Sequence, residues 1–477
     1  MSAVVEMNIA PPNLLLLGHH DSGNAQRLLE MHGRNIRYCH PMKKFLVFNG
    51  KYWEIDEAGR IEKLAKTCMV DFLAQAVEHG NEAAQKFATT SLEAKRINGM
   101  LAMLKCEVPV LPDELDVNPF LLNFQNGTVD LATGNLGPHC REHLITKMIE
   151  HEYRPQARCP VFTSFLMRIM GAGPNATPAE RRRAVRRVAW LRRALGYSLT
   201  GTTREKAVFF AWGGGNNGKT TLLATILTIL GPYATLIQVD SLMVKQFGES
   251  NNSMADLADL RGARFVMTSE TEEGQRLAEG KLKRLSQGMG RIKTCRKYEN
   301  PFDFPETHKL WMDANHKPVI RGSDNAIWDR LYLIPFGETI PKNEIDPELP
   351  SKLLAEAEGI LAWLVRGCAR WQQRGLGKPP EVEAARRVWR EESDPLNDFL
   401  DDECVLDPDL FCRTTSLWEQ YVRWADRQKI RDPLKRKDFN ERIRARGFKE
   451  RSHRFADGEA KDWGERAWSG IALRVAL

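Results

Sequence analysis

AVFFAWGGGNNGKTT, Ala207 to Thr221, runs from an apolar segment into a turn of glycine and asparagine, then into a second apolar segment ending near Leu230. Ala207–Trp212 has the composition of a buried strand, and the residues from Lys219 onward read as a helix. A strand, then G-x-x-x-x-G-K-T, then a helix is a P-loop, and a glycine-rich turn that merely precedes a lysine would lack both flanks. Gly213, Gly214, Gly215, Asn216, Asn217 and Gly218 let successive backbone amides turn inward on a polyphosphate, helped by the positive end of the helix. Lys219 is expected to reach the β- and γ-phosphates and Thr220 to ligate Mg²⁺, with Thr221 beside them in the nucleotide-binding set. ATP and Mg²⁺ are the implied ligands.

Working outward, the next apolar strand is Arg264 to Ser269, and it ends in Glu270-Thr-Glu272-Glu273. A carboxylate delivered to a strand end beside a P-loop can hold Mg²⁺ and orient the attacking water. Glu270 is the expected carboxylate, with Glu272 second. Arg276 to Leu285 reads as a helix. Gly288 to Phe304 reads as a hairpin bearing Arg291, Lys293, Arg296, Lys297 and Tyr298, a set that suits a phosphate backbone. A third strand, Lys309 to Ala314, ends in Asn315, whose amide is placed to sense a γ-phosphate. Arg321 and Arg330 follow, the latter just before the apolar run Leu331 to Phe336.

On either side of this core the chain is less explicit. The first 70 residues read as a small α+β unit, Met69 to Leu104 as largely helical, and Asn126-Gly127 as a turn between two strands. His139, Cys140, His143, His151 and Cys159 include zinc-type ligands, but their gaps match no common structural zinc spacing, which favours surface or core residues. Glu180 to Leu195 places Ala184, Val188, Leu191 and Leu195 on one helical face and seven arginines on the others; a solvated basic face and a DNA or subunit contact both fit it.

Composition narrows the class. The chain has 477 residues, with 42% hydrophobic and 27% charged residues, and its net charge is +7. That length suggests about three domains. No apolar run is long enough to span a bilayer, and nine scattered cysteines form no C-x-x-C pair, so a cytoplasmic chain with reduced thiols and no membrane partner is expected. Lys429 to Arg454 holds eleven Lys or Arg against four Asp or Glu, an excess of 11 − 4 = +7 that equals the excess of the whole chain. A polyanionic partner, with nucleic acid first, is implied.

The last hundred residues follow Arg374-Gly-Leu-Gly-Lys-Pro-Pro380, which reads as a linker. Leu396, Phe399 and Leu400 mark one helix, and Leu417, Tyr421 and Trp424 a second. A third, Lys435 to Arg446, keeps Phe439 and Ile443 on one face and carries Lys435, Lys437, Arg442 and Arg444 on the others. With a strand-like tail around Trp468, this suggests a winged helix that grips DNA; a solvated basic face is the alternative.

Motif order carries a resemblance. P-loop, strand ending in Glu270, basic hairpin, strand ending in Asn315, then Arg330 resembles motifs A, B, B′ and C of superfamily 3 helicases. TSETEEGQRL, KLWMDANHKPVIRGSDNAIWDRLYLIPF and GYSLTG resemble more closely the phage/plasmid and poxvirus primase–helicase family. DSGNAQRLLEMHG, FLVFNGKYWEIDEAG and NFQNGTVDLATG resemble that family's pre-helicase region, so the likeness covers most of the chain. It implies an AAA+-like α/β P-loop NTPase that acts as a homo-oligomer, usually a hexamer, encircles single-stranded DNA and generally moves 3′→5′. By position in the matching motifs, Lys219 and Thr220 take the nucleotide and Mg²⁺ roles, Glu270 the catalytic carboxylate and Asn315 the sensor. Arg330 falls at the arginine finger, with Arg321 as runner-up; a finger acts across a subunit boundary.

The chain departs from the family where it begins directly in the pre-helicase region, without the primase–polymerase module of many relatives, so a separate primase or polymerase is a further expected partner. It departs again at Gln287-Gly-Met-Gly290, where relatives often place an acidic turn. The expected organisation is an α+β and helical pre-helicase region at 1–160, the ATPase at 161–378 and a winged-helix-like domain at 379–477. The expected function is an ATP-dependent DNA helicase of a phage, prophage or plasmid-type replication module. A DNA-binding initiator or loader controlled by ATP is the alternative, separable by strand displacement. A primase is a third reading, for which no separate carboxylate constellation is found.

Overall fold

Apolar runs without alternation, such as Val208–Trp212 and Leu331–Pro335, need a sheet covered on both faces. The computed structural model describes residues 12–244, 257–268, 274–288, 290–295, 300–320, 325–428, 430, 433–455 and 465–474. The chain opens with α1 (Asp21–His32) and a three-stranded antiparallel sheet, β1 (Ile36–Cys39), β2 (Lys44–Phe48) and β3 (Trp53–Ile55). Helices α2 (Arg60–Glu78), α3 (Glu82–Ser91) and α4 (Ala94–Leu104) follow and bury Phe72, Met100 and Leu104 together with Leu28 of α1. Arg27 is wholly buried here. It donates to the carbonyls of Leu14, Leu17 and Gly18 and lies 3.8 Å from the Phe72 ring centre, and burial pushes its pKa down to about 10.

A second antiparallel sheet follows, β4 (Leu121–Phe124), β5 (Gly127–Asp130) and β6 (Asn135–Gly137), turning at Gln125–Asn126. Next come α5 (Pro160–Ile169), α6 (Pro178–Tyr197), β7 (Val208–Trp212), α7 (Lys219–Leu230), β8 (Ala234–Ile237) and β9 (Phe265–Thr268). They continue into α8 (Glu279–Arg284), the hairpin β10 (Arg291–Thr294) and β11 (Phe302–Pro305), β12 (Lys309–Ala314), α9 (Asn325–Trp328) and β13 (Leu331–Pro335). Strands β13, β7, β12, β9 and β8, in that spatial order, form one parallel sheet.

The strand pleat sorts the core. Phe209, Phe265, Trp311 and Tyr332 face a layer made with α5, α6, α7 and α11 (Ala357–Arg374), the last preceded by α10 (Leu349–Ala355). Val208, Phe210, Leu310, Met312 and Leu333 face the opposite layer. Helices α6 and α11 touch backbone to backbone: a Cβ on Gly196 would stand 2.2 Å from Cys368 N, and one on Gly367 2.1 Å from Arg192 O. Of the seven arginines of α6, Arg187, Arg192 and Arg193 reach carbonyls of Met170, Trp363 and Leu376, so part of that basic face is spent inside the fold.

Packing runs across both expected boundaries. Leu122, Phe124, Val129 and Leu131 share the core of the parallel sheet, and buried Arg264 donates to Leu121 O at 2.6 Å and Leu199 O at 2.7 Å. The expected break near residue 160 therefore cuts through one packed body. Pro379-Pro380, read as linker, instead precedes and opens α12 (Pro380–Glu392), where proline fits the first turn. Trp389 of α12 is buried edge-on against Phe210 and Trp328, so the sheet's cover extends to Glu392 rather than 378. Arg276 pairs with Val319 in a bridge, which delays the helix expected from 276 to Glu279.

The remaining elements are α13 (Pro395–Glu403), β14 (Cys404–Arg413), α14 (Thr414–Arg427), α15 (Arg436–Ala445), β15 (Lys449–His453) and β16 (Glu465–Leu473). Their sheet has the order β14-β16-β15, and Phe399, Tyr421, Trp424, Phe439 and Trp468 form its core with the three helices. All nine cysteines are free thiols. Among the described residues no helix is long and apolar enough to cross a membrane.

Candidate nucleotide site at the strand ends

In a parallel sheet of this kind, ligands bind beyond the carboxyl ends of the strands. The Gly213 amide donates to Ala314 O at 3.2 Å, which sets the start of the loop against the end of β12. A Cβ on Gly213 would stand 2.3 Å from Phe336 O. Gly218 has φ +80°, and a Cβ there would meet Ile169 Cγ2 at 2.6 Å, so both positions require glycine. Gly214 and Gly215 differ: a Cβ on either meets nothing within 4 Å. Their backbone is exposed, together with Asn216 at φ +57°. Asn217 is buried and donates to Gly214 O and Phe336 O, which ties the loop to the residue after β13.

Lys219 opens α7 but turns back into the loop, with only 3% of its side chain exposed. Its Nζ donates to Gly213 O at 2.8 Å, Gly214 O at 3.1 Å, Asn217 Oδ1 at 3.1 Å and Asn315 Oδ1 at 2.9 Å. The expected lysine and the expected sensor asparagine therefore meet, from different strands. Thr220 is exposed and donates through Oγ1 to Asp313 Oδ2 at 2.5 Å; Thr221 follows in the first turn and accepts through its carbonyl from Thr225 Oγ1. Asp313 is 1% exposed, and its Oδ1 lies 3.9 Å from Lys219 Nζ. Sequence reasoning passed over Asp313 as strand interior. The signal was there: an acid inside the apolar run Leu310–Ala314 is rarely buried without a partner.

Strand β9 ends at Thr268, in register with Met312. Glu270, Glu272 and Glu273 lie outside the described residues, as do Arg296, Lys297, Tyr298 and Arg321. Arg330 precedes β13, and its carbonyl accepts from the Val208 amide, at the end of β7 away from the loop. Five strand residues at about 3.3 Å each put roughly 16 Å between those ends. Its guanidinium donates to Ser286 O and Ala326 O. Arg330 is thus not brought to the P-loop of its own chain.

The basic residues separate into engaged and open ones. Arg291 pairs with Asp303 across the hairpin and with Asp113 at 3.0 Å, whereas Lys293 is exposed on the same face of β10. Lys435 and Lys437 are exposed at the start of α15. Arg444 is exposed but pairs with Glu450 at 2.9 Å. Arg442, 11% exposed, pairs with Asp394 at 2.9 Å, and Arg446 holds the other oxygen of that carboxylate. The charge of Arg442, expected as a DNA contact, fastens α15 to the start of α13. At the other end of β12, burial pushes the Glu306 carboxyl up to about 7 and His308 down to about 3. His139 hydrogen-bonds Asn123 Oδ1 and Gln125 O, a use for that ring that involves no metal.

A family model described as D5 N terminal like matches residues 25–171, and one described as a family of unknown function (DUF5906) matches residues 211–330. Protein L207/L206 of Acanthamoeba polyphaga mimivirus, which carries a provisional helicase name, is 25% identical over 312 residues, 61% of this chain and 31% of the relative. Protein 022R of Frog virus 3 (isolate Goorha), also provisionally named a helicase, is 25% identical over 248 residues, 48% of this chain and 25% of its own. Protein C962R of African swine fever virus (strain Badajoz 1971 Vero-adapted), provisionally named a primase, is 23% identical over 316 residues, 62% of this chain and 32% of its own. The chain spans a quarter to a third of the length of these relatives. Among solved structures, the C terminal region of NrS-1 is similar with a TM-score of 0.48 at 11% identity, over 92% of this chain and 96% of that one.

Proposed function

Because the chain belongs to the D5-like primase–helicase family, we propose that it is an ATP-dependent DNA helicase that works as a ring, a hexamer, and threads single-stranded DNA. One observation carries the reading: Lys219 of the loop and Asn315 of the neighbouring strand end meet at 2.9 Å beside an exposed, glycine-lined backbone. The loop amides and Lys219 would bind the phosphates, and Asn315 would register the γ-phosphate. Mg²⁺ fits the residues present, since Thr220 offers an exposed hydroxyl whose partner is a carboxylate, both hard oxygen donors. When bound, that ion neutralises charge developing on the phosphates. Glu270 is assigned the orientation of the attacking water.

Strand order β13-β7-β12-β9-β8, with the P-loop after the second strand in space, supports the AAA+-like reading. The order helix, strand, two helices, two strands from α13 to β16 supports a winged helix, with Lys435 and Lys437 toward DNA. Arg330, remote from its own P-loop, is assigned to the site of the next subunit, which is why a ring is required. Purified chain should hydrolyse ATP faster with DNA and displace a strand from a tailed duplex. A protein that stays monomeric with every nucleotide and DNA tested overturns the motor. Assembly and ATP binding without strand displacement would replace it with an initiator or loader.

A further inference from the structure

Asp313 is the charged group of this site to which the motif assignments give no task. It stands one residue before the end of β12, a strand buried along its whole length. Register sets it opposite Ala211 of β7, one step from Trp212, after which the loop begins. Its two oxygens divide: Oδ2 accepts from Thr220 Oγ1, and Oδ1 faces Lys219 Nζ at 3.9 Å. A carboxylate withdrawn from water costs several kcal/mol unless its surroundings compensate. An apolar residue would spare β12 that cost.

The hydroxyl geometry indicates what the carboxylate supplies. Threonine has one hydroxyl proton and two lone pairs. With the proton fixed on Asp313, the lone pairs of Thr220 face away from the strand, toward the exposed side of the loop. That is the orientation a cation needs from a hydroxyl ligand, and Mg²⁺ characteristically keeps several of its waters when protein oxygens bind it.

We propose that Asp313 positions Thr220 for Mg²⁺ and holds the ion through water. The inference rests on the nucleotide reading and deepens it. P-loop enzymes pair the loop hydroxyl with an acidic residue on the metal. Here a candidate for that acid comes from β12, the strand directly beside the P-loop strand.

The test uses the full chain with ADP and Mn²⁺, reading free Mn²⁺ by electron paramagnetic resonance and metal-free ADP affinity in EDTA. Asp313→Asn should weaken Mn²⁺ roughly 10–100-fold while ADP affinity in EDTA stays near wild type, and Glu270→Gln should leave Mn²⁺ binding near wild type. Unchanged Mn²⁺ affinity in Asp313→Asn overturns the proposal. So does an equal loss of ADP affinity in EDTA, which would make Asp313 a prop for Lys219. A wild-type chain that binds no ADP in either condition overturns the nucleotide reading and this one with it; ADP binding with an unaffected Asp313→Asn overturns this one alone. Should Asp313→Asn fail to fold, Fe²⁺ and ADP with peroxide on the wild-type chain decide. Backbone cleavage beside both 220 and 313 supports the assignment, and cleavage beside 220 and 270 without 313 overturns it.

Discussion

Replacing Lys219 by methionine is the standard way to silence a P-loop, and here it should also cost stability. The ammonium and the Asp313 carboxylate are 3.9 Å apart with 3% and 1% of their side chains exposed. At an effective dielectric of about 20, that separation corresponds to about 4 kcal/mol of attraction. Removing one member of a buried pair typically costs about 3–5 kcal/mol, because the other charge stays behind without its partner. Four carbonyl and amide oxygens, on Gly213, Gly214, Asn217 and Asn315, lose a donor in the same step. Against a domain stability of about 5–15 kcal/mol the variant should still fold, with a clearly lower urea midpoint. Asp313→Asn added to Lys219→Met should return part of the loss, with a coupling of about 1–3 kcal/mol in the double-mutant cycle. A Lys219→Met midpoint within about 0.5 kcal/mol of wild type, or strict additivity with Asp313→Asn, would refute the paired-charge geometry.

Three further outcomes are expected. Arg330→Ala should lower turnover by about 10³-fold or more with nucleotide affinity retained; mixing it with Lys219→Met subunits should restore some turnover, and co-assembled mixtures without activity would exclude a finger in trans. Glu306 has its carboxyl raised to about 7 by burial, so the folded state holds the proton more tightly than the unfolded one. Its contribution is full below the ordinary carboxylate range and is lost as pH rises through about 7, so Glu306→Gln should flatten the stability–pH curve between about 4.5 and 7 in denaturation series, and an unchanged slope would contradict this. For DNA, Lys435→Ala and Lys437→Ala should each reduce the salt slope of binding by about 0.7–0.9, whereas Arg442→Ala should lower the melting point of the C-terminal unit through the freed Asp394 and leave the slope alone.

What was legible in the chain follows from how locally each feature is encoded. Strand β12 was read to the residue, and β7 to within one, because their apolar runs stop at a turn or at polar residues. Asn315 and Lys219 were legible through spacing, although their contact at 2.9 Å depends on the β7–β12 register. The domain edges were not legible. Leu122 and Trp389 look like any buried residue in sequence, and only tertiary packing assigns them to the central sheet. Arg27 and Arg264 were invisible for a related reason: a buried arginine is chosen by the carbonyls around it, and those of Leu14, Leu17, Leu121 and Leu199 come from distant turns and strands. Charge counting could not see inward pairing for the same reason: Arg442 and Arg446 are drawn inward by one aspartate 48 and 52 residues upstream.

Asp313 and Lys317 together explain why the end of β12 carries so many unlike residues in succession. Asp313 addresses Thr220, Ala314 accepts from the first loop glycine, and Asn315 addresses Lys219. Two residues on, Lys317 lies 4.2 Å from the Trp212 ring centre and pairs with Glu392 at 2.6 Å, at the last residue of α12. Pro318 accepts from the Trp389 indole, and a cavity bordered by Lys317, Trp389, Asp398 and Trp424 opens beside it toward α13 and α14. Each of these contacts is made by a different residue of one seven-residue segment, 313–319, so that segment joins the loop side to the α12 side. The strand end that holds the candidate site's buried acid is thus in contact, through Lys317 and Pro318, with the helix that leads into the basic C-terminal unit.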